Sequence, residues 1–251
     1  MDKKIYFASD FHLGSPNYEE SLKREKFVVS WLTEIEPTCS ELFLMGDIFD
    51  FWFEYKKVVP KGYIRLLGKL TQMADSGIPI YFFKGNHDMW VYDYFIQEIG
   101  MKIISDELII ERNNKRFYLH HGDGLGPGDK FYKFLRRIFR NPICQFLFGI
   151  LPPRIGLGLA NYWSGKSRLA SQVSEKIIAE NEEWLVVHSK EILKKEAINY
   201  FVYGHRHLPL EIKLNEESIY INLGEWVNYS SYAEFDGQDL KLKYFKSKQT
   251  L

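Results

Sequence analysis

Short apolar runs alternate with longer amphipathic stretches through the first part of the chain, and this alternation restricts it to few architectures. Residues 4–9 read as a buried strand. Residues 18–36 read as a helix, with Leu22, Phe27, Val28, Trp31, Leu32 and Ile35 near helical spacing and Pro37 at its end. A strand at 41–45, a helix at 62–76, a strand at 80–83 and a helix opening at 90–99 continue the series. Such alternation predicts an α/β fold with a parallel sheet and helices on its faces. The pattern then changes. Residues 107–111 and 116–120 read as a hairpin around Asn113-Asn114. Residues 130–168 form a separate zone rich in aromatic, Gly and Pro residues, 173–195 a long helix and 201–203 a strand. Residues 210–245 read as short strands with turns at Asn215-Glu216 and Asp236-Gly237.

The 251 residues are enough for one large domain with a real core. Lys+Arg and Asp+Glu both total 33, so the whole chain carries no charge signal for nucleic acid, and none is expected as a partner. Cys39 and Cys144 lie far apart and in no CxxC or Cys/His cluster, which points to a reducing compartment. The N-terminus runs straight into a strand pattern rather than a secretory signal. The longest nearly unbroken apolar run, 143–151, falls well short of the ~20 residues that span a bilayer. The expectation is a cytoplasmic protein.

Five short stretches follow apolar strands: Asp10-Phe11-His12, Gly46-Asp47-Ile48-Phe49-Asp50, Gly85-Asn86-His87-Asp88, His121-Gly122-Asp123 and Gly204-His205-Arg206-His207. Ligand sites in open α/β sheets form at the carboxyl ends of strands, so polar side chains at successive strand ends converge. Asp, His and Asn supply the oxygen and nitrogen donors that suit Mn, Fe or Zn. Asp-x-His on an extended segment places both side chains on one side, and the same reasoning covers His205-x-His207. One carboxylate can bridge two cations, and two cations ~3.5–4 Å apart can clamp a phosphate and activate a water. Singly, each motif has a plainer reading: Asp47 as a turn or cap, His12 as a satisfied buried histidine, Asn86 as a turn residue, His207 as a loop residue. Five together, each after a strand, are poorly explained by chance.

The ordered set DxH, GDxxD, GNHD, HGD and GHxH resembles the calcineurin-like metallophosphoesterases over roughly residues 4–225. That resemblance implies a four-layer αββα sandwich, a single domain over 1–251 and a site for two divalent metals. One metal would take Asp10, His12, Asp47 and His207; the other Asp47, Asn86, His121 and His205, with Asp47 bridging. His121 is preferred to His120 because it opens the HGD segment. His87 would stabilise the transition state or protonate the leaving group, with Asp88 orienting it, as a carboxylate-held imidazole can.

Between residues 130 and 174 there is no acidic residue, while Lys130, Lys133, Arg136, Arg137, Arg140, Arg154, Lys166 and Arg168 alternate with Phe131, Phe134, Leu135, Ile138, Phe139, Phe146, Leu147, Phe148, Ile150 and Leu151. Three readings apply: a lid for an acyl chain that touches anionic headgroups, a helical hairpin packed on the core, or a nucleic-acid patch. The first is preferred. The run His121 to Leu125 with Asp129 and Tyr132, the Gly46–Trp52 segment and Leu223-Gly224-Glu225-Trp226 resemble the UDP-2,3-diacylglucosamine pyrophosphohydrolases of lipid A synthesis. This implies cleavage of a nucleotide–lipid pyrophosphate to UMP and a diacylated sugar 1-phosphate, with Mn2+ (Fe and Zn also being compatible). It further implies a helical lid at about 128–172 and a peripheral position on the cytoplasmic face of the inner membrane, reached through the basic apolar insert. Asn86, His87, Asp129, Ser164, Arg168 and His205 fall where that family contacts substrate. His87 is a departure, since the best-known branch has Arg there. The alternatives are a metallophosphoesterase acting on a soluble phosphomonoester or nucleotide, and a non-catalytic scaffold, which has no chemical need for seven donors.

Overall fold

The computed structural model describes residues 3–126, 130–156, 158 and 183–246. Two sheets stack face to face. The first has the order β11-β10-β1-β2-β3-β4, from β1 (Lys4–Ala8), β2 (Cys39–Leu44), β3 (Ile80–Phe83), β4 (Lys102–Ile104), β10 (Ser231–Phe235) and β11 (Leu240–Tyr244). The second has the order β5-β6-β7-β9-β8, from β5 (Leu108–Arg112), β6 (Lys115–His120), β7 (Tyr200–Tyr203), β8 (Pro209–Lys213) and β9 (Ile219–Leu223). β1, β2, β3 and β4 run parallel, as do β6, β7 and β9.

Period-two alternation sorts the side chains into layers. In β1, Tyr6 and Ala8 pack with α1 (Tyr18–Ile35), α2 (Ile64–Asp75) and α3 (Tyr94–Ile99), whereas Ile5 and Phe7 face the second sheet. In β7, Tyr200 and Val202 face the first sheet, while Phe201 and Tyr203 pack against Leu185 and Val186 of α6 (Trp184–Leu193). The result is helices, sheet, sheet, helix: the expected αββα sandwich. Because both sheets bury both faces, their central strands read as continuous apolar runs.

The Asn113-Asn114 turn forms as expected, both residues having positive φ (50° and 60°), the conformation that two-residue hairpin loops require. Two expectations need correction. α3 starts at Tyr94 rather than Trp90, because Trp90 pairs with Phe53 in an isolated bridge and the Glu54 carboxylate accepts from Asp93 and Tyr94 N–H. β4, a three-residue strand beside β3, gave no apolar run long enough to be read. Of the helix expected over 173–195, Trp184–Leu193 is described.

Between β6 and α6 lie α4 (Lys130–Phe139) and α5 (Pro142–Ile150). Trp90 Nε1 donates to the Phe139 carbonyl at 2.8 Å, and Phe148 stacks against Phe53 and Trp90. The described part of the insert therefore rests on an aromatic platform that continues from the Gly46–Asp50 and Gly85–Asp88 loops.

Candidate metal centre

The parallel strands β1, β2, β3, β6 and β7 all end beside the same cleft, and each is followed by a loop carrying polar side chains. The loops hold one another through their backbones: Asp10 N–H donates to Gly46 O and His12 N–H to Asp47 O, both at 3.0 Å. Gly204 N–H donates to His121 O at 2.9 Å. Arg24 of α1 is buried and straps the first loop, donating to the carbonyls of Phe11 and His12 at 2.6 Å each.

Asp10, His12, Asp47, His205 and His207 have φ of 56°, 44°, 54°, 67° and 54°. The Asp-x-His and His-x-His pairs thus sit on left-handed turns, not on the extended backbone inferred from alternation; the convergence is as expected but its cause differs. Left-handed φ is costly for residues with a Cβ and is tolerated here because the surrounding loops fix it.

Candidate ligand atoms of Asp10, His12, Asp47 and His207 lie within 4.8 Å of one another, and so do those of Asp47, His121 and His205. His12 Nε2 is 3.0 Å from His207 Nε2. Asn86 joins the second set, its Oδ1 being 2.9 Å from His205 Nδ1 and 3.2 Å from His121 Nε2. All seven expected donors are therefore brought together. Each carboxylate is divided between two tasks. Asp10 Oδ2 accepts from His205 N–H at 3.0 Å and Asp47 Oδ1 from His87 N–H at 2.8 Å. Asp10 Oδ1 and Asp47 Oδ2, both buried, have no hydrogen-bond partner among the described residues. Asp47 Oδ2 lies 3.4 Å from His121 Nε2 and 3.9 Å from His12 Nε2, between the two sets. His121 Nδ1–H donates to Met45 O at 2.8 Å, which fixes the tautomer and leaves Nε2 as a donor atom for a cation.

The electrostatics agree with a cation site. Burial would raise the Asp10 carboxyl, but the His12 and His207 imidazoles, 3.6 and 3.3 Å from its Oδ1, hold it well below its usual range. Asp47 is likewise held down against burial by His121 and His87. Burial opposes charge on His121, yet Asp47 beside it pushes its pKa up to about 10; His207 is raised in the same way by Asp10. Burial and the His121 charge push His205 down to about 4. Two buried carboxylates thus demand positive charge, which protons on His121 and His207 supply and divalent cations can take over. Orphaned oxygens, paired imidazole nitrogens and mixed O/N donors fit two such ions.

His120 is also buried, its Nδ1 accepting from Gly122 N–H at 2.7 Å, and burial pushes it down to about 3: a neutral structural histidine, as preferred from the sequence. His87 is differently placed than the resemblance implies. Its Nδ1–H donates to the Asp50 carbonyl at 2.9 Å. Asp88 instead accepts from the backbone N–H groups of Asp47, Ile48, Phe49 and Gly85, at 2.8–3.3 Å. Asp88 therefore fixes the Asp47 loop, because a buried carboxylate is held best by several donors; burial and the Asp47 charge raise its pKa to about 7. The sequence reading assigned no role to Asp50, although it stands in the GDxxD motif; its carboxylate lies 3.8 Å from His12 Nδ1. Nor did it assign one to Arg24, which no motif marks. Asp129, Ser164 and Arg168 lie outside the described residues.

The chain is similar to several known proteins. A "UDP-2,3-diacylglucosamine hydrolase" of Porphyromonas gingivalis is 37% identical, covering 97% of this chain and 98% of its own. Proteins of the same name from Haemophilus influenzae and Edwardsiella ictaluri are 29% and 28% identical, over 93% and 94% of this chain and 95% and 90% of theirs. Among solved structures, the phosphoesterase Yfce of E. coli is 19% identical, with a TM-score of 0.42, over 94% of this chain and 90% of that one. The profile of the family described as calcineurin-like phosphoesterase matches residues 3–209. With that match spanning all five ligand loops, the chain belongs to the calcineurin-like phosphoesterase family and is a metal-dependent phosphoester hydrolase.

Proposed function

We propose that this enzyme cleaves the pyrophosphate of UDP-2,3-diacylglucosamine, releasing UMP and 2,3-diacylglucosamine 1-phosphate, as a step of lipid A biosynthesis. The observation that carries the reading is the placement of Asp47 Oδ2, buried and without a hydrogen bond, between the His12 and His121 imidazoles. Asp10, His12, Asp47 and His207 would hold one divalent cation and Asp47, Asn86, His121 and His205 the other, both Mn2+ in this reading. When bound, the pair supplies an activated water and neutralises phosphate oxygens. His87, its Nδ1 engaged by the Asp50 carbonyl, meets the phosphate oxygens through Nε2, while Asn86 and His205 border the same phosphate. Asp88 acts by fixing the Asp47 loop. Asp129, Ser164 and Arg168 complete the substrate contacts.

The lipid half of the substrate is assigned to the insert at about 128–172, within a single domain over 1–251. Ile143, Phe146, Leu147 and Ile150 recur at helical spacing on α5 and are 68, 67, 58 and 62% exposed. No described helix is long and apolar enough to cross a membrane. An exposed apolar stripe in a segment without acids is what interfacial binding requires, which supports a position on the cytoplasmic face of the inner membrane. The name and near-complete overlap of the Porphyromonas gingivalis relative support the substrate.

The test is turnover of UDP-2,3-diacylglucosamine against its deacylated form, followed by 31P NMR in water enriched in oxygen-18. The label is expected in UMP, and kcat/KM is expected to fall when the acyl chains are removed. Equal kcat/KM for both substrates removes the lipid assignment and favours a soluble nucleotide substrate.

A further inference from the structure

Gly126, six residues beyond the end of β6, and Glu183-Trp184, at the start of α6, meet. A Cβ on Gly126 would lie 2.8 Å from Trp184 Cβ and 3.0 Å from Trp184 O. Beneath this neck are the two loops that carry His121 and His205. They are joined by the Gly204 N–H to His121 O bond, and a Cβ on Gly122 would touch Leu185 of α6 at 3.1 Å and His205 Cβ at 3.2 Å.

Each loop is also ion-paired to one side of the neck. Asp123, two residues beyond His121, is 2.8 Å from Arg136 Nε of α4. Arg206, between His205 and His207, has its Nε 3.1 Å from Glu183, the residue before α6. Both carboxylates are buried, Asp123 at 1% and Glu183 at 4% exposure. Such pairs add little to global stability, but removing one partner of a buried carboxylate is costly, so the paired geometry is strongly specified. The Asp123 pair reaches His121 alone, whereas Arg206 also borders His207, and His205 N–H donates to Asp10 at 3.0 Å, so the Arg206 pair adjoins both metal positions.

We infer that these two ion pairs couple the insert to the metal position formed by Asp47, Asn86, His121 and His205. Arg136, Asp123, Glu183 and Arg206 are positioning residues: they set the separation of His121 and His205. A shift of α4 or of the start of α6, such as a ligand of the insert would cause, changes that position's affinity for its cation. Linkage makes the effect reciprocal, so the cation also biases the insert. The inference rests on the two-cation reading above.

The test is Mn2+ titration of the metal-stripped full-length protein, with equivalents counted by elemental analysis after desalting and affinities by calorimetry. Wild type is compared with Arg136→Gln, Glu183→Gln, the exchanged pair Glu183→Arg with Arg206→Glu, and Lys194→Ala, which breaks an exposed pair with Glu191. Two equivalents are expected for wild type and for Lys194→Ala. Arg136→Gln is expected to keep one tight equivalent while the second weakens about 10–100-fold, the usual cost of losing a group that orients a ligand, and Glu183→Gln is expected to weaken the second at least as much and, through His207, the first as well. The exchanged pair is expected to recover part of that loss. Should Glu183→Gln fail to fold, Arg136→Gln, at a partly exposed side chain, decides the matter alone. Single variants that hold both equivalents as tightly as wild type overturn the coupling, as does equal weakening of both equivalents by Arg136→Gln. An exchanged pair no better than Glu183→Gln overturns it as well. Fewer than two equivalents in wild type refutes the two-cation reading instead.

Discussion

Replacing Gly85 by alanine puts one methyl group where the Asp47 carboxylate stands. A Cβ built on Gly85 would lie 2.8 Å from Asp47 Cγ, and closer still to its Oδ1 and backbone N, where ordinary contact is 3.4–4 Å. Asp47 would have to retreat by about 0.6 Å at Cγ and further at Oδ1, in a close-packed region that yields little. The movement loosens the Asp47 Oδ1 bond from His87 N–H and the Asp88 bonds to the same loop. A misplacement approaching 1 Å in a catalytic group costs ~10²-fold in rate, or about 2.7 kcal/mol of transition-state stabilisation. Overpacking adds roughly 1–3 kcal/mol of lost stability. The assay is kcat/KM for UDP-2,3-diacylglucosamine with bound Mn2+ counted and Tm measured alongside. Gly68→Ala serves as the control: it lies in α2 with nothing within 4 Å of its Cβ. It is expected to stabilise the protein by about 0.5–1 kcal/mol with activity unchanged. If Gly85→Ala keeps near-wild-type kcat/KM and both metal equivalents, the argument that Asp47 Oδ2 sits at a fixed bridging point is wrong.

His87→Ala is expected to lower kcat by about 10²-fold or less, because a sugar phosphate leaving group is a weak base that needs little protonation, whereas Asp47→Ala is expected to abolish metal binding and turnover together; equal collapse with both metals retained by His87→Ala counts against this role. Glu234 takes hydrogen bonds from Lys4 and Lys243 that hold its carboxyl, against burial, below the usual 4.5. A depressed folded-state pKa gives stability that is present above the unfolded value and lost as pH falls. The Tm difference between wild type and Glu234→Gln is therefore expected at pH 7 and should close as pH drops through and below about 4.5; a difference that grows on acidification refutes this.

Much of the site was legible because its chemistry is local. Each ligand cluster follows an apolar run, and the rule that sites form at strand carboxyl ends needs no knowledge of packing. What failed was the reasoning about backbone shape. Alternation in an extended strand was the wrong account of Asp10 and His12, whose left-handed backbones are held by the bonds their N–H groups donate to the Gly46 and Asp47 carbonyls. The same limit applies to Asp88: its position after His87 said nothing of the Asp47, Ile48 and Phe49 N–H groups, supplied by a loop some forty residues away, that occupy its carboxylate. Glu183 and Arg136 carried no motif at all, since an ion pair depends on which surfaces the neck of the insert brings together.

The sequence by itself determined the layered α/β architecture and marked the seven candidate donors, because periodicity, residue chemistry and motif resemblance are properties of short segments. The tertiary structure alone decided which oxygen of Asp47 takes the His87 N–H bond and which is left without one, which carbonyl holds His87, and that Arg136 and Glu183 pair with the His121 and His205 loops. Those are contacts between distant segments, and their geometry exists only once the two sheets have closed on each other.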